Sequence, residues 1–141
     1  MSNLLKGLGF YFITDSALSK RGISSDVRAA LSAGCRIIQY REKKASTRRM
    51  LHEALAIKGL CQDKALLIIN DRIDIALAAD ADGVHLGKDD MPLETARMIL
   101  GRDMIIGISC SSVEDARKAE GADYLGIGPV FTTSTKKDAD R

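Results

Sequence analysis

Ala65-Leu66-Leu67-Ile68-Ile69-Asn70-Asp71 is the stretch whose reading decides the fold. Five consecutive apolar residues closed by a carboxamide and a carboxylate make a strand with no polar face. Strands apolar on both sides belong to parallel sheets covered by helices on their faces. Shorter runs of the same kind lie on either side: Phe10 to Thr14, Cys35 to Tyr40, Gly83 to Gly87, Met104 to Ser109 and Tyr124 to Gly128. Helical patterns fill the intervals. Ser24 or Ser25 is a candidate N-cap for a helix ending near Ala33-Gly34, and Ser46 or Thr47 for one reaching Cys61. Asp71 to Asp80 and Met91 to Leu100 follow helical spacing, with Pro92 where a helix could start. Ser111 or Ser112 caps a helix reaching Gly121.

Six β-α steps without a Pro/Gly linker predict one α/β domain over residues 1–141. An eight-stranded (β/α) barrel takes about 200 residues or more. The chain therefore reads as an open six-stranded sheet or as a barrel short of its last two units. The second reading leaves two strand edges that something must cover, a second copy of the chain among the options.

Composition removes several function classes. The 141 residues carry 21 Lys and Arg against 19 Asp and Glu, a net charge of +2, so no bulk charge argues for nucleic acid. Aromatic residues are 4% of the chain, too few for base-stacking platforms. Cys35, Cys61 and Cys110 are odd in number and far apart, which reads as reduced thiols in a cytoplasmic protein. Met1 to Gly9 lacks the apolar core of a signal peptide, and no apolar run approaches the ~20 residues of a membrane span.

Four clusters at or just after strand ends carry the candidate chemistry: Gln39-Tyr40-Arg41-Glu42-Lys43, Asn70-Asp71, Asp89-Asp90 and Thr133-Ser134-Thr135-Lys136. In a parallel barrel such positions converge on one mouth. Arg41 and Lys43 suit an anion, one as a planar fork and the other as a mobile point charge. Their alternative is a solvated basic loop, since Lys44, Arg48 and Arg49 follow. Asp71 and Asp90 suit a hard divalent cation, and Mg²⁺ needs only one or two protein carboxylates. Each is also an ordinary cap or turn residue, and for Asn70-Asp71 taken alone a cap is the better reading. Gly126 to Lys136, a glycine-rich strand end followed by hydroxyls and a Lys, suits an anionic oxygen but lacks Walker spacing. His85, inside a short strand, reads as a hydrogen-bonded structural histidine rather than a base. Ser109 could donate to a ligand. No Ser-His-Asp, Cys-His or H-E-x-x-H constellation supports hydrolytic chemistry.

Taken in order, these stretches resemble the thiamine-phosphate synthase (thiamine-phosphate pyrophosphorylase) family. Tyr11 to Asp15, Gln39 to Lys43, Asn70 to Asp74, Ala81 to Gly87 with Asp89-Asp90, Gly107 to Ser109 and Ala122 to Phe131 carry the likeness. It implies a (β/α)8 barrel of TIM type. It also implies a transferase that joins hydroxymethylpyrimidine diphosphate to thiazole phosphate and releases pyrophosphate, with Mg²⁺ as cofactor. On the resemblance, Gln39, Tyr40, Arg41, Glu42, Lys43, Asn70, Ser109 and Lys136 would hold the pyrimidine diphosphate. Asp71 and Asp90 would ligate Mg²⁺, and Thr133, Ser134 and Thr135 would contact the thiazole phosphate. Arg41, Lys43 and Lys136 would stabilise the departing pyrophosphate.

Two departures accompany the likeness. Ser111 stands where family members often carry His, and the family's last two strands have no counterpart here. The expectation is therefore a recognisable diphosphate half-site and weak or no synthase activity from these residues alone. A related thiazole tautomerase, or a non-catalytic module binding phosphate ligands, are the alternatives. Retention of Arg41, Lys43, Asn70, Asp71, Asp89 and Asp90 together argues against the tautomerase.

Overall fold

A computed structural model describes residues 8–131 of the chain. Six strands alternate with five helices: β1 (Tyr11–Ile13), α1 (Ile23–Ser32), β2 (Ile37–Tyr40), α2 (Thr47–Cys61), β3 (Leu66–Asn70), α3 (Ile73–Ala78), β4 (Gly83–Leu86), α4 (Leu93–Leu100), β5 (Ile105–Cys110), α5 (Val113–Lys118) and β6 (Tyr124–Ile127). All strand pairs are parallel and lie in sequence order, β1-β2-β3-β4-β5-β6. That is the strand arrangement of a TIM-type barrel with six of its units described, and it agrees with the fold class expected from the sequence.

The sheet curls. Tyr11 on the first strand and Tyr124 on the sixth meet hydroxyl to hydroxyl at 2.7 Å, although the two strands share no ladder. A flat sheet would hold its outer strands roughly 24 Å apart at about 4.8 Å per strand spacing. The contact therefore requires strong curvature, as in a barrel wall.

Alternation along each strand sorts its residues into two layers. Ile38, Tyr40, Leu67, Ile69, Val84, Leu86 and Ile106 face the helices and join Val27, Met50, Ala54, Ile57 and Ala76 in the main core. Ile37, Ile68 and Ile105 form a second apolar cluster with Tyr11, Leu66 and Tyr124 on the concave side. β3 contributes to both, which is why its sequence shows no polar face. Each fully buried aliphatic side chain contributes about 1.5–3 kcal/mol of transfer free energy.

Local signals set most boundaries. Ser46 caps α2 by accepting from the Arg49 amide, and Ser112 with Asp115 forms a reciprocal capping box on α5. Asp115 accepts from Ser112 and Ser111, which holds its carboxyl down at about 2. α1 departs from expectation: neither Ser24 nor Ser25 caps it. Gly22, at φ 87°, turns the chain so that the Ser25 and Asp26 amides already donate to the Gly22 carbonyl, which moves the start upstream. β2 begins at Ile37 rather than Cys35, because the Cys35 amide is used to close α1 on the Ala30 carbonyl.

The three cysteines are free and buried, and burial pushes the Cys61 thiol up to about 11. Among the described residues, no helix is long and apolar enough to cross a membrane. Apolar side chains are exposed at the sheet's outer strands, including Phe10, Leu125 and Ile127.

The core assignment predicts that Ile69→Ala lowers unfolding free energy by about 2–5 kcal/mol. Met98→Ala, at a side chain 78% exposed, should change it by less than about 0.5 kcal/mol. Urea titrations of both variants check this, and equal midpoints would contradict it.

Candidate active site

The rim at the carboxyl ends of β1 to β5 gathers five of the acids and bases. Parallel pairing in sequence order brings every strand out at this end. Thr14 and Asp15 follow β1, Arg41 to Lys43 follow β2, Asp71 follows β3, Asp90 lies four residues beyond β4, and Ser109 is the penultimate residue of β5. Arg41 pairs with Asp15 at 3.6 Å, and its amide donates to the Thr14 hydroxyl at 2.9 Å. Lys43 Nζ reaches Asp71 Oδ2 at 2.6 Å. Asp71 in turn meets the carboxyl of Asp90 side chain to side chain. Asp89 is exposed and lies apart from this contact.

The Asp71 and Asp90 carboxyls are neighbours on the rim. Burial raises the Asp90 carboxyl above its ordinary range; the Gly87 amide, donating at 2.7 Å, opposes this, and neighbouring Asp71 raises it further. Asp71 sits at φ 63°, in a tight turn where the Arg72 amide donates back to the Asn70 carbonyl. Asp63 and Asp80 adopt the same left-handed backbone just beyond helices, so the conformation alone marks no function. Among the described residues, no group of three or more His, Cys, Asp or Glu gathers as a metal site. Two hard carboxylate oxygen donors in contact nonetheless fit Mg²⁺, which keeps several waters and takes further oxygens from substrate phosphate.

Below the rim, on the concave face, lies a polar layer of Gln39, Asn70, His85 and Ser109 above the Ile37, Ile68 and Ile105 floor. Gln39, Asn70 and His85 are buried. The Asn70 amide nitrogen is buried without a hydrogen-bond partner. A buried donor left unmade costs about 1–3 kcal/mol, so this amide is available to a ligand at the mouth. His85 is hydrogen-bonded on both ring nitrogens, to Tyr124 and to Ser109, as the structural reading of this histidine expects.

Two residues of the Gln39–Lys43 cluster point elsewhere. Tyr40 is fully buried in the helix-facing layer, where its hydroxyl donates to Glu53 at 2.7 Å. Burial first, then the Glu53 hydrogen bond and charge, hold the Tyr40 phenol far up and protonated. Glu42 is buried and accepts from the Lys44 and Ala45 amides at 2.7 and 3.2 Å. Burial opposes its charge, but hydrogen bonds from Ser16 and from the Lys44, Ala45 and Lys43 amides outweigh that and lower its carboxyl. Glu42 thus shapes the loop that presents Arg41 and Lys43. Thr133, Ser134, Thr135 and Lys136 lie outside the described residues.

Thr14, Asp15, Tyr11 and Tyr124 belong to the site and carry no local signal as functional groups. Tyr11 to Asp15 and Tyr124 were nonetheless inside the stretches that bore the family likeness, which was the available clue.

A curled parallel sheet in sequence order, with cations and carboxylates gathered on its carboxyl rim, puts the chain in the (β/α)-barrel class of α/β proteins. Residues 10–141 match the family described as thiamine monophosphate synthase. The chain belongs to that family. It is 59% identical over 140 residues to a thiamine-phosphate synthase of Methanosarcina barkeri, covering 98% of this chain and 64% of that one. A second, from Methanosarcina mazei, is 55% identical over 99% of this chain and 59% of its own. The solved thiamine phosphate pyrophosphorylase of Pyrococcus furiosus superposes with a TM-score of 0.82 at 46% identity, covering 88% of this chain and 61% of that one. The chain thus spans about three-fifths of the length of these relatives.

The lowered native value of the Glu42 carboxyl sets a pH signature. Its stabilisation is complete above the ordinary glutamate pKa of about 4.3 and is lost as pH falls through the lower native value. Glu42→Gln should cost about 1–3 kcal/mol at pH 7, with a smaller deficit at pH 3.5. Urea midpoints of both proteins at the two pH values test this; a deficit that stays constant or grows on acidification would rule out the charged acceptor.

Proposed function

We propose that this chain is the diphosphate-activating part of a thiamine-phosphate synthase. The protein would join 4-amino-2-methyl-5-hydroxymethylpyrimidine diphosphate to thiazole phosphate, giving thiamine phosphate and pyrophosphate. One observation carries the reading: Lys43, Asp71 and Asp90 meet in series on the rim, beside Arg41 and above the unpartnered Asn70 amide. Family membership and the names of the relatives agree with it.

Each residue has a distinct task. Arg41 and Lys43 would turn toward diphosphate oxygens and balance the charge that collects on departing pyrophosphate. Their present partners, Asp15 and Asp71, keep both cations positioned before the ligand arrives. The Asn70 amide and the Ser109 hydroxyl would donate to the ligand from the polar layer, and Gln39 would orient its pyrimidine. Asp71 and Asp90 would hold Mg²⁺, which when bound supplies positive charge to the diphosphate. Lys136 would add a further cation, and Thr133, Ser134 and Thr135 would contact the thiazole phosphate.

No side-chain nucleophile is required. Breaking the methylene–oxygen bond sends its electron pair to pyrophosphate, and the electron-rich pyrimidine shares the positive charge left on carbon. The thiazole nitrogen, held in line, then contributes the pair that forms the carbon–nitrogen bond.

The setting follows the same reading. The protein would work in the cytoplasm on small phosphorylated molecules. The two further β/α units of a relative-length barrel would complete the acceptor half and cover the outer strands. A second copy would be the other way to cover them.

The protein at the length of its relatives, mixed with both substrates and Mg²⁺, should release thiamine phosphate and pyrophosphate in equal amounts. Asp71→Ala and Asp90→Ala should each lower kcat/KM by about 100-fold or more, and chelation should stop turnover. Turnover that survives chelation, or that Asp71→Ala leaves intact, would refute the proposal.

A further inference from the structure

Five side chains from five strands form one hydrogen-bonded line across the concave face. Gln39 Nε2 donates to Tyr11 Oη at 2.9 Å, Tyr11 and Tyr124 share a proton contact at 2.7 Å, Tyr124 Oη lies 3.0 Å from His85 Nδ1, and His85 Nε2 lies 2.9 Å from Ser109 Oγ. Sequence separations of 28, 113, 39 and 24 residues show that only the barrel curvature assembles it. The rings also fit space left for them. A Cβ on Gly107 would collide with the Tyr124 phenol, and one on Gly126 would come within 2.9 Å of His85 Cε1. The His85 and Tyr124 rings lie 5.5 Å apart, inclined by 35°.

Donor and acceptor counting gives the line a direction. With the Gln39 amide donating, the Tyr11 oxygen is an acceptor there, and its own proton goes on to Tyr124. Tyr124, a phenol that burial keeps protonated, then donates to His85 Nδ1. That leaves the His85 proton on Nε2, facing Ser109 Oγ. Ser109 then accepts from His85, which leaves its own proton for another acceptor. With Gln39 still donating, the opposite direction would give the Tyr11 proton no acceptor among these contacts, which is the costly arrangement for a partly buried hydroxyl. Rotating the Gln39 amide would reverse every proton and turn the Ser109 proton inward onto His85.

We propose that His85 is a positioning residue: the Gln39–Tyr11–Tyr124 line fixes its Nε2–H tautomer, and His85 thereby holds Ser109 as a hydroxyl donor aimed at the anionic ligand. The ligand half of this statement rests on the proposed synthase reading; the tautomer half does not. It also assigns a purpose to Tyr11 and Tyr124, which touch no rim charge but set the direction of the proton line beneath it.

The test has one arm that needs no ligand. In ¹⁵N-histidine spectra of the protein at the length of its relatives, at neutral pH, His85 should show a protonated Nε2 and an unprotonated Nδ1. Tyr124→Phe should convert this to a mixture of tautomers, and so should Tyr11→Phe, which spares the Tyr124–His85 bond but removes the group that sets its direction; an unchanged Nε2–H form in Tyr11→Phe would overturn the part assigned to Gln39 and Tyr11. The second arm is binding of the pyrimidine diphosphate with Mg²⁺. Tyr124→Phe should weaken it about five- to tenfold, and by less than about twofold when Ser109 is already Ala. A wild-type His85 protonated on Nδ1 overturns the proposal without any variant having to fold. Additive losses for Tyr124→Phe and Ser109→Ala overturn the link to Ser109. If the wild-type protein binds no pyrimidine diphosphate, the synthase reading fails, and the spectra still decide the tautomer.

Discussion

Parallel pairing in sequence order is the constraint on which the rest of this structure depends. A strand that must lie parallel to its predecessor can be entered only from the same end, so the chain returns through a helix on the outer face. Every residue that follows a strand then emerges on one rim. Lys43, Asp71 and Asp90 come from three different β-α steps and become neighbours for that reason alone. Curvature adds the second effect, since it folds the concave face onto itself until Tyr11 touches Tyr124. The apolar floor of Ile37, Ile68 and Ile105 keeps the polar layer away from bulk water on its lower side. Charges and dipoles above such a floor act more strongly than they would at an open surface.

How much of this could be read from the chain follows from the range of each signal. The strands were legible because apolar runs such as Leu66 to Ile69 are continuous and local, and Ser46 and Ser112 announced their helices by capping chemistry. The start of α1 was not, because it depends on the backbone of Gly22 and not on the two serines beside it. In the rim, Arg41, Lys43, Asp71 and Asp90 were legible as charged residues at strand ends. Tyr40 and Glu42 show the limit of reading a motif as a block. Alternation sends neighbours to opposite faces, so Gln39 enters the polar layer while Tyr40 enters the helix-facing core. Glu42 serves its own loop through backbone amides that carry no sequence signature. The line from Gln39 to Ser109 was beyond reach, because its members come from five strands and meet only after the sheet has curled.

The balance of charge on the rim bears on why acids stand there at all. Asp15, Asp71 and Asp90 set three carboxylates against Arg41 and Lys43. On their own these five groups would make the mouth slightly repel a diphosphate, and the contact between Asp71 and Asp90 would gain nothing. Both features become sensible for a site that takes up a divalent cation together with its anionic ligand. A divalent cation held by Asp71 and Asp90 would reverse the sign of the local charge and would relieve the acid–acid contact that, after burial, raises the Asp90 carboxyl. Lys43 is then the pivot of the arrangement. It pairs with Asp71, and a cation taking its place on that carboxylate would leave the ammonium to the phosphate oxygens. On the proposed reading the same residues would favour the pair over either ion alone, because of which charges the fold makes neighbours.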